Sequence, residues 1–244
     1  MKAMVLAAGL GTRLRPLTND RPKALVEING RTMLEITLAR LRAAGVTDVI
    51  VNTHHFADLM AEFLRSRDFG MHIEISYEPV LLDTGGGLKN AAWFFDDGAP
   101  FVLHNVDILT NIDIAAMLRF HRQHNPLAVI ATQDRITSRP LLFDRKCDLC
   151  GRILADGKRE LARPIAEEDS TPLAFNVIHI LSPRIFDLLT EDGVFSIIPA
   201  YLRLAAAGES IRCFRADEFY WRDLGRTEHL EQAEADIASG LCAL

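Results

Sequence analysis

No stretch of this 244-residue chain approaches the roughly 18 to 20 consecutive apolar residues that a bilayer-spanning helix needs. Met1 leads directly into a strand pattern rather than a signal peptide, so a cytoplasmic location and no membrane partner are expected. Cysteine is scarce. Cys147, Cys150, Cys213 and Cys242 are too few for a disulfide framework, and the C-x-x-C of Cys147 and Cys150 lacks the second ligand pair that a zinc site requires. Basic charge is also short, with 27 Lys and Arg against 33 Asp and Glu and a net charge of −6. Such a chain presents no overall field that attracts a long polyanion, and a nucleic-acid partner is not expected. Internal repeats and low-complexity segments are absent.

What is present is an ordinary globular balance, 49% hydrophobic and 25% charged, which excludes disorder. The length suits one α/β domain over 1–244, here divided into halves at 1–110 and 111–244. Ala3 to Ala7 is an apolar run ended by Gly9 and Gly11, the pattern of a buried strand feeding a loop. Leu34, Leu38 and Leu41 then mark a helix, with Gly45 where its C-terminus wants a left-handed residue. Strand and helix continue to alternate through Val49 to Val51, Phe56 to Leu64, His72 to Ile75, a helix over Gly87 to Phe95, and Phe101 to Leu103. This alternation predicts parallel βαβ units. The second half is less regular, with strands expected at Leu127 to Thr132, Leu141 to Asp144, Arg152 to Leu154 and Phe175 to Ile180, and a surface loop over Asp156 to Pro172. Ser182-Pro183 and Thr227 are expected helix caps, and Asn111 to Asp113 a helix start. The fold class expected is a Rossmann-like three-layer αβα sandwich with a mixed, mainly parallel sheet.

The segment Leu6-Ala7-Ala8-Gly9-Leu10-Gly11-Thr12-Arg13-Leu14-Arg15-Pro16-Leu17-Thr18, followed by Pro22-Lys23, carries the chemistry. Glycines let backbone N–H groups approach an anion, and the cations nearby supply charge for several phosphate oxygens, so a triphosphate is the natural ligand. A dinucleotide loop needs a third glycine where Leu14 stands, and the P-loop string does not occur.

The complete string resembles the signature loop of the sugar-1-phosphate nucleotidyltransferases. The resemblance extends to Leu82-Asp83-Thr84-Gly85-Gly86-Gly87, to Asn105-Val106-Asp107 and to Trp221-Arg222-Asp223-Leu224-Gly225, and so covers nearly the whole chain. It implies that backbone around Leu6 to Gly9 and at Gly85-Gly86 receives the base, with Gly11, Thr12, Thr84 and Asn105 in the same nucleotide site. Arg13 would hold the β and γ phosphates, Lys23 the α-phosphate, and Asp107 and Asp223 a magnesium ion. Ser138, Arg139, Arg163 and Asn176 would build the sugar-phosphate pocket. Two departures stand out. Val106 occupies a position that is often glycine, and Arg163-Pro164 stands where many members carry a lysine.

The resemblance implies Mg²⁺-dependent transfer of a nucleotidyl group from an NTP to a sugar 1-phosphate by a monomer or small homo-oligomer. Among compact members, uridylyl transfer to an N-acetylmuramate-type sugar 1-phosphate leads. Guanylyl transfer to mannose or heptose 1-phosphate is the alternative, and a noncatalytic NDP-sugar sensor on the same fold is a third. Retention of Arg13, Lys23, Asp107 and Asp223 argues for the enzyme, because a sensor has no need of the leaving-group cation and both metal ligands. A sugar phosphate is already largely anionic at neutral pH, so the absence of a Ser-His-Asp or Cys-His arrangement is no obstacle to catalysis.

Overall fold

The apolar runs of the first half become strands buried on both faces, as parallel sheets require. In the computed structural model, which describes residues 1–242, Ala3, Met4 and Val5 of β1 (Lys2–Leu6) have no exposed surface. After it come β2 (Glu27–Ile28), β3 (Arg31–Thr32), α1 (Met33–Ala43), β4 (Asp48–Thr53), α2 (Ala57–Arg65), β5 (His72–Tyr77) and α3 (Asp83–Asn90). The middle of the chain forms β6 (Phe101–Asn105), β7 (Ile108–Thr110), α4 (Ile114–His124), β8 (Ala128–Gln133), β9 (Leu141–Asp144), β10 (Leu149–Ile153) and β11 (Arg159–Leu161). The last part forms β12 (Ser170–Leu181), α5 (Ile185–Leu188), α6 (Ile197–Ala206), β13 (Ile211–Arg215), β14 (Trp221–Asp223) and α7 (Thr227–Ala238). This is an α/β fold with mixed, partly parallel strand pairing and flanking helices. Among the described residues no helix is long and apolar enough to cross a membrane.

The chain divides into two compact units that interleave along the sequence. The first comprises Met1–Leu82, Leu103–Ile114 and Phe219–Leu244, and the second Asp83–Val102 and Ala115–Glu218. The pairing of β14 with β7 returns the C-terminal segment to the first unit.

In the first unit, β1 pairs parallel with β4 and β4 with β5. Helix α1 starts at a capping box that was not singled out in the sequence: Thr32 Oγ1 accepts from Glu35 N at 3.1 Å, and Thr32 N donates to the Glu35 carboxylate at 2.8 Å. Its C-terminus ends as expected, with Gly45 at φ +84°. In the second unit, β8 pairs parallel with β13 and antiparallel with β12, and β12, β9, β10 and β11 continue antiparallel.

Several local expectations shift. The helix expected from Gly87 starts at Asp83, so all three glycines of the Asp83–Gly87 string lie inside α3. The loop expected over Asp156 to Pro172 contains β11, and its end already belongs to β12. Asn111 does not cap α4; its side-chain oxygen accepts from Tyr220 N at 2.7 Å. Neither α5 nor α7 has a side-chain cap, and Thr227 is the first residue inside α7.

Candidate active site

After β1 the glycine loop turns through Gly11 at φ +63°, a region open to glycine at little cost. A Cβ at Gly11 would also lie 2.9 Å from the Cβ of Lys23, so this glycine lets the end of the loop pack on its beginning. Thr18 Oγ1 donates to Gly11 O at 2.9 Å and closes the loop. Leu14 is fully buried and anchors the segment. A dinucleotide site would need glycine at that position.

A network built from distant residues holds the start of the loop. Ala7 N and Ala8 N both donate to Asn52 Oδ1, at 2.5 and 3.2 Å. Asn52 Nδ2 in turn donates to Glu78 Oε1 at 2.7 Å, and Leu82 N donates to Glu78 Oε2 at 2.9 Å. Asn52 and Glu78 are buried. Both alanine amides thus help to fix the start of the loop. Sequence reasoning missed Asn52 and Glu78, since nothing in β4 or after β5 marks a buried amide and carboxylate as partners of a loop so far along the chain. His54 meets Glu78 O through Nδ1 at 2.8 Å.

The four residues expected to be catalytic come together in the first unit. Asp107 lies between β6 and β7, and the β7–β14 register sets Asp223 opposite Ile108. Leu224 N donates to Asp107 O at 2.8 Å and fastens the two strand ends. Lys23 Nζ bonds Asp107 Oδ2, with the side chains only 10% and 17% exposed. Asp223 Oδ1 accepts from Gly225 N at 2.7 Å. A Cβ on Gly225 would lie 2.6 Å from Arg13 Nη2 and 2.8 Å from Asp223 Oδ1, so the bare glycine gives the guanidinium and the carboxylate room side by side. Asp107 is thus paired with Lys23, while Arg13 and Asp223 both border Gly225. Asn105 ends β6, and its carbonyl accepts from His104 Nδ1 at 2.6 Å.

The remaining expected residues belong to the second unit. Thr84 Oγ1 accepts from Ile197 N at 3.0 Å, and Gly85 N and Gly86 N both donate to Phe195 O, at 2.9 and 3.1 Å. A Cβ on Gly85 would lie 2.3 Å from the Phe195 ring. These amides join α3 to the start of α6. A cavity of about 530 Å³ is lined by Thr137, Arg139, Arg152, Phe175, Val177 and Ser196. Of the four residues expected to bind the sugar phosphate, Arg139 lines it and Ser138 is its exposed chain neighbour. Arg163 lies elsewhere, with Nη2 3.0 Å from Asp144 Oδ2. Asn176 is fully buried and accepts from Arg135 Nη2 at 3.4 Å. Arg152 and Val177 are lining residues that sequence reasoning missed. Val177 has φ +53°, rare for a β-branched residue.

A glycine loop with two cations, set against two carboxylates at adjoining strand ends, defines a phosphate-handling α/β protein. The chain belongs to the nucleotidyl transferase family, whose model matches residues 2–139. It is 39% identical over 246 aligned residues to the N-acetylmuramate alpha-1-phosphate uridylyltransferase of Caulobacter vibrioides, covering 97% of this chain and 96% of that one. To the mannose-1-phosphate guanylyltransferase of Mycobacterium tuberculosis it is 33% identical, covering 98% of this chain and 65% of the relative. The fold matches the crystal structure of HddC from Yersinia pseudotuberculosis with a TM-score of 0.75 at 21% identity, over 97% of this chain and 99% of that one. The chain is an enzyme of this family, and its general reaction is nucleotidyl transfer to a sugar 1-phosphate.

Proposed function

We propose that this enzyme transfers uridylyl from UTP to an N-acetylmuramate-type sugar 1-phosphate, with Mg²⁺ as cofactor. One observation carries the choice of substrates: the uridylyltransferase from Caulobacter vibrioides matches nearly end to end, whereas the chain spans about two thirds of the guanylyltransferase.

An oxygen of the sugar 1-phosphate attacks the α-phosphorus of UTP, the bond from that phosphorus to the β-phosphate bridging oxygen breaks, and pyrophosphate leaves. No general base is needed, because the second ionisation of a phosphate monoester falls near pH 6. The chain must relieve repulsion between two anions and stabilise charge on the leaving group. Lys23 serves the α-phosphate and Arg13 the departing pyrophosphate. Lys23 is paired with Asp107, so substrate phosphates compete with that carboxylate for it. Asp107 and Asp223 offer two hard oxygen donors of the kind that suits Mg²⁺, and these two residues would hold the ion. When bound there, Mg²⁺ would supply charge neutralisation. Arg139, lining the cavity of the second unit, is the better candidate for the sugar-phosphate cation than Arg163, which is committed to Asp144.

The test is pyrophosphate release with Mg²⁺ from a panel of four NTPs crossed with sugar 1-phosphates. UTP is expected to exceed GTP by at least about tenfold in kcat/KM, since a base pocket leaves mismatched donors and acceptors unpaired. Preference for GTP with mannose or heptose 1-phosphate would establish guanylyl transfer instead. Binding of NDP-sugars without turnover of any pair would indicate a sensor.

A further inference from the structure

The second unit contains three cysteines, and the structure pairs them differently from their spacing in sequence. Cys150 is fully buried in β10, and its carbonyl accepts from Ala162 N at 2.9 Å on the β11 side. Cys147 is half-exposed in the β9–β10 turn, and its neighbour is Cys213 of β13. Cys213 N donates to Cys147 O at 2.8 Å, and Asp148 and Arg212 form an antiparallel bridge. Residues 147 and 213 thus oppose each other across one antiparallel step. Cys147 N turns back to Asp144 O at 2.9 Å, so the two residues make one of the two bonds of a hydrogen-bonded antiparallel pair, whose Cα atoms lie about 5.5 Å apart. That lies inside the window of roughly 4.4 to 6.8 Å that a disulfide tolerates.

The turn is fixed on β13 by further bonds. Arg212 Nη2 donates to Lys146 O and Ser210 Oγ to Asp148 Oδ1, each at 2.6 Å, while Asp144 Oδ1 accepts from Lys146 N and Asp148 N at 2.8 and 2.9 Å. Cys147 itself sits at φ +65°, where glycine would be unstrained. The surroundings hold Cys147 in a costly backbone conformation opposite Cys213.

We propose that Cys147 and Cys213 are a disulfide-forming pair that hydroperoxides oxidise, pinning the β9–β10 turn covalently to β13. Cys147, the exposed partner, reacts first. Its sulfur takes the terminal oxygen of the peroxide, the O–O bond breaks, and water leaves when the oxidant is hydrogen peroxide, giving a sulfenic acid. The Cys213 sulfur then attacks the Cys147 sulfur, the S–O bond breaks, and the hydroxide departs as water with the Cys213 proton. Two thiols and one peroxide become one disulfide and two waters. Burial pushes the Cys213 thiol well above its ordinary range, which keeps it a protonated thiol until the sulfenic acid forms beside it. Asp144 of the same turn holds Arg163, so the bridge also constrains the segment that carries that ion pair. The proposal does not depend on the identity of the substrates.

The experiment treats the reduced full chain with stoichiometric hydrogen peroxide, counts thiols with a maleimide after denaturation, and maps tryptic peptides. Reactive thiols are expected to fall from four to two. A peptide carrying Cys147 should be joined to one carrying Cys213, and a reducing thiol should separate them. Cys147→Ser, at a half-exposed position that folding tolerates, should abolish the link, and Cys150→Ser should keep it. The proposal is overturned if four thiols remain, if Cys150 is the bridged partner, or if Cys147 proceeds to sulfinic acid without bridging.

Discussion

His104 is a buried histidine with half of its ring satisfied. Nδ1 donates to Asn105 O, while Nε2 has no hydrogen-bond partner among the described residues. This arrangement suits the neutral ring, because a second proton would be placed on Nε2 without an acceptor. Burial lowers its pKa from 6.5 to about 4; the Asn105 bond and the Asp107 charge oppose this, and Arg40 adds to it. Between these values the unfolded chain binds a proton that the folded chain refuses, so stability is full above pH 6.5 and is lost as pH falls toward 4. The loss should total about 3 kcal/mol. Urea unfolding between about pH 7 and pH 4.5 should show this slope in the wild type and a shallower one in His104→Gln. Equal slopes would mean that other groups account for the acid sensitivity. The neighbouring carboxylates act on rate instead. Asp107→Asn and Asp223→Asn should each lower turnover by about 10²-fold or more with the circular dichroism unchanged. Lys23→Ala should depress kcat more than KM, because charge on the transferring phosphoryl changes most in the transition state. A pure KM effect would remove Lys23 from its assigned role.

At the scale of elements, two glycines distinguish packing from positioning. Gly85 lies in α3 against the Phe195 ring and 3.0 Å from the Phe195 carbonyl, measured from an added Cβ. Neither can yield easily, so Gly85→Ala should cost about 1 to 3 kcal/mol in chemical denaturation. Gly225 follows β14, and the atoms an added Cβ would meet first are the ends of the Arg13 and Asp223 side chains. Gly225→Ala should therefore leave Tm nearly unchanged while lowering kcat/KM by on the order of tenfold to a hundredfold, through displacement of a cation and a carboxylate. The opposite pattern would show that Gly225 serves the fold. The same contrast explains what was legible in the sequence. The loop from Gly9 to Lys23 could be identified because its glycines, cations and anchoring Leu14 are consecutive. Asn52 and Glu78 could not, because their loop partners lie in another segment. The start of α3 was missed because three glycines in a row suggest a loop, and tertiary contact with Phe195 overrides that propensity. The motif position of Arg163 says nothing of its partner Asp144, which lies in another segment and pairs with it in a depression with Ile165 and Asp169.

Across the whole molecule, chain order and compact units diverge, and the divergence brings Asp223 to Asp107. The segment from Phe219 onward completes the first unit, and within it α7 supports the β7–β14 ribbon through one carboxylate. Asp236 Oδ2 accepts from Tyr220 Oη at 2.7 Å and from Arg222 Nε and Nη2 at 2.9 and 2.7 Å. Tyr220 in turn holds the β7 side, its carbonyl accepting from Thr110 Oγ1 at 2.6 Å and its amide donating to Asn111. Removing the Asp236 charge leaves Arg222 and Tyr220 with a weaker acceptor, and Asp223 is the next residue along the same strand. Asp236→Asn should cost about 1.5 to 3 kcal/mol, the range for a hydrogen bond to a charged group, and should also lower turnover although the residue lies outside the catalytic set. Glu234→Gln, on the same helix and with only a 3.4 Å contact to Asn29 N, provides the comparison and should leave both quantities unchanged. If Asp236→Asn lowers stability but turns over at the wild-type rate, the pairing of Trp221 to Asp223 with Ile108 to Thr110 is sufficient to hold the second carboxylate, and α7 serves the fold alone.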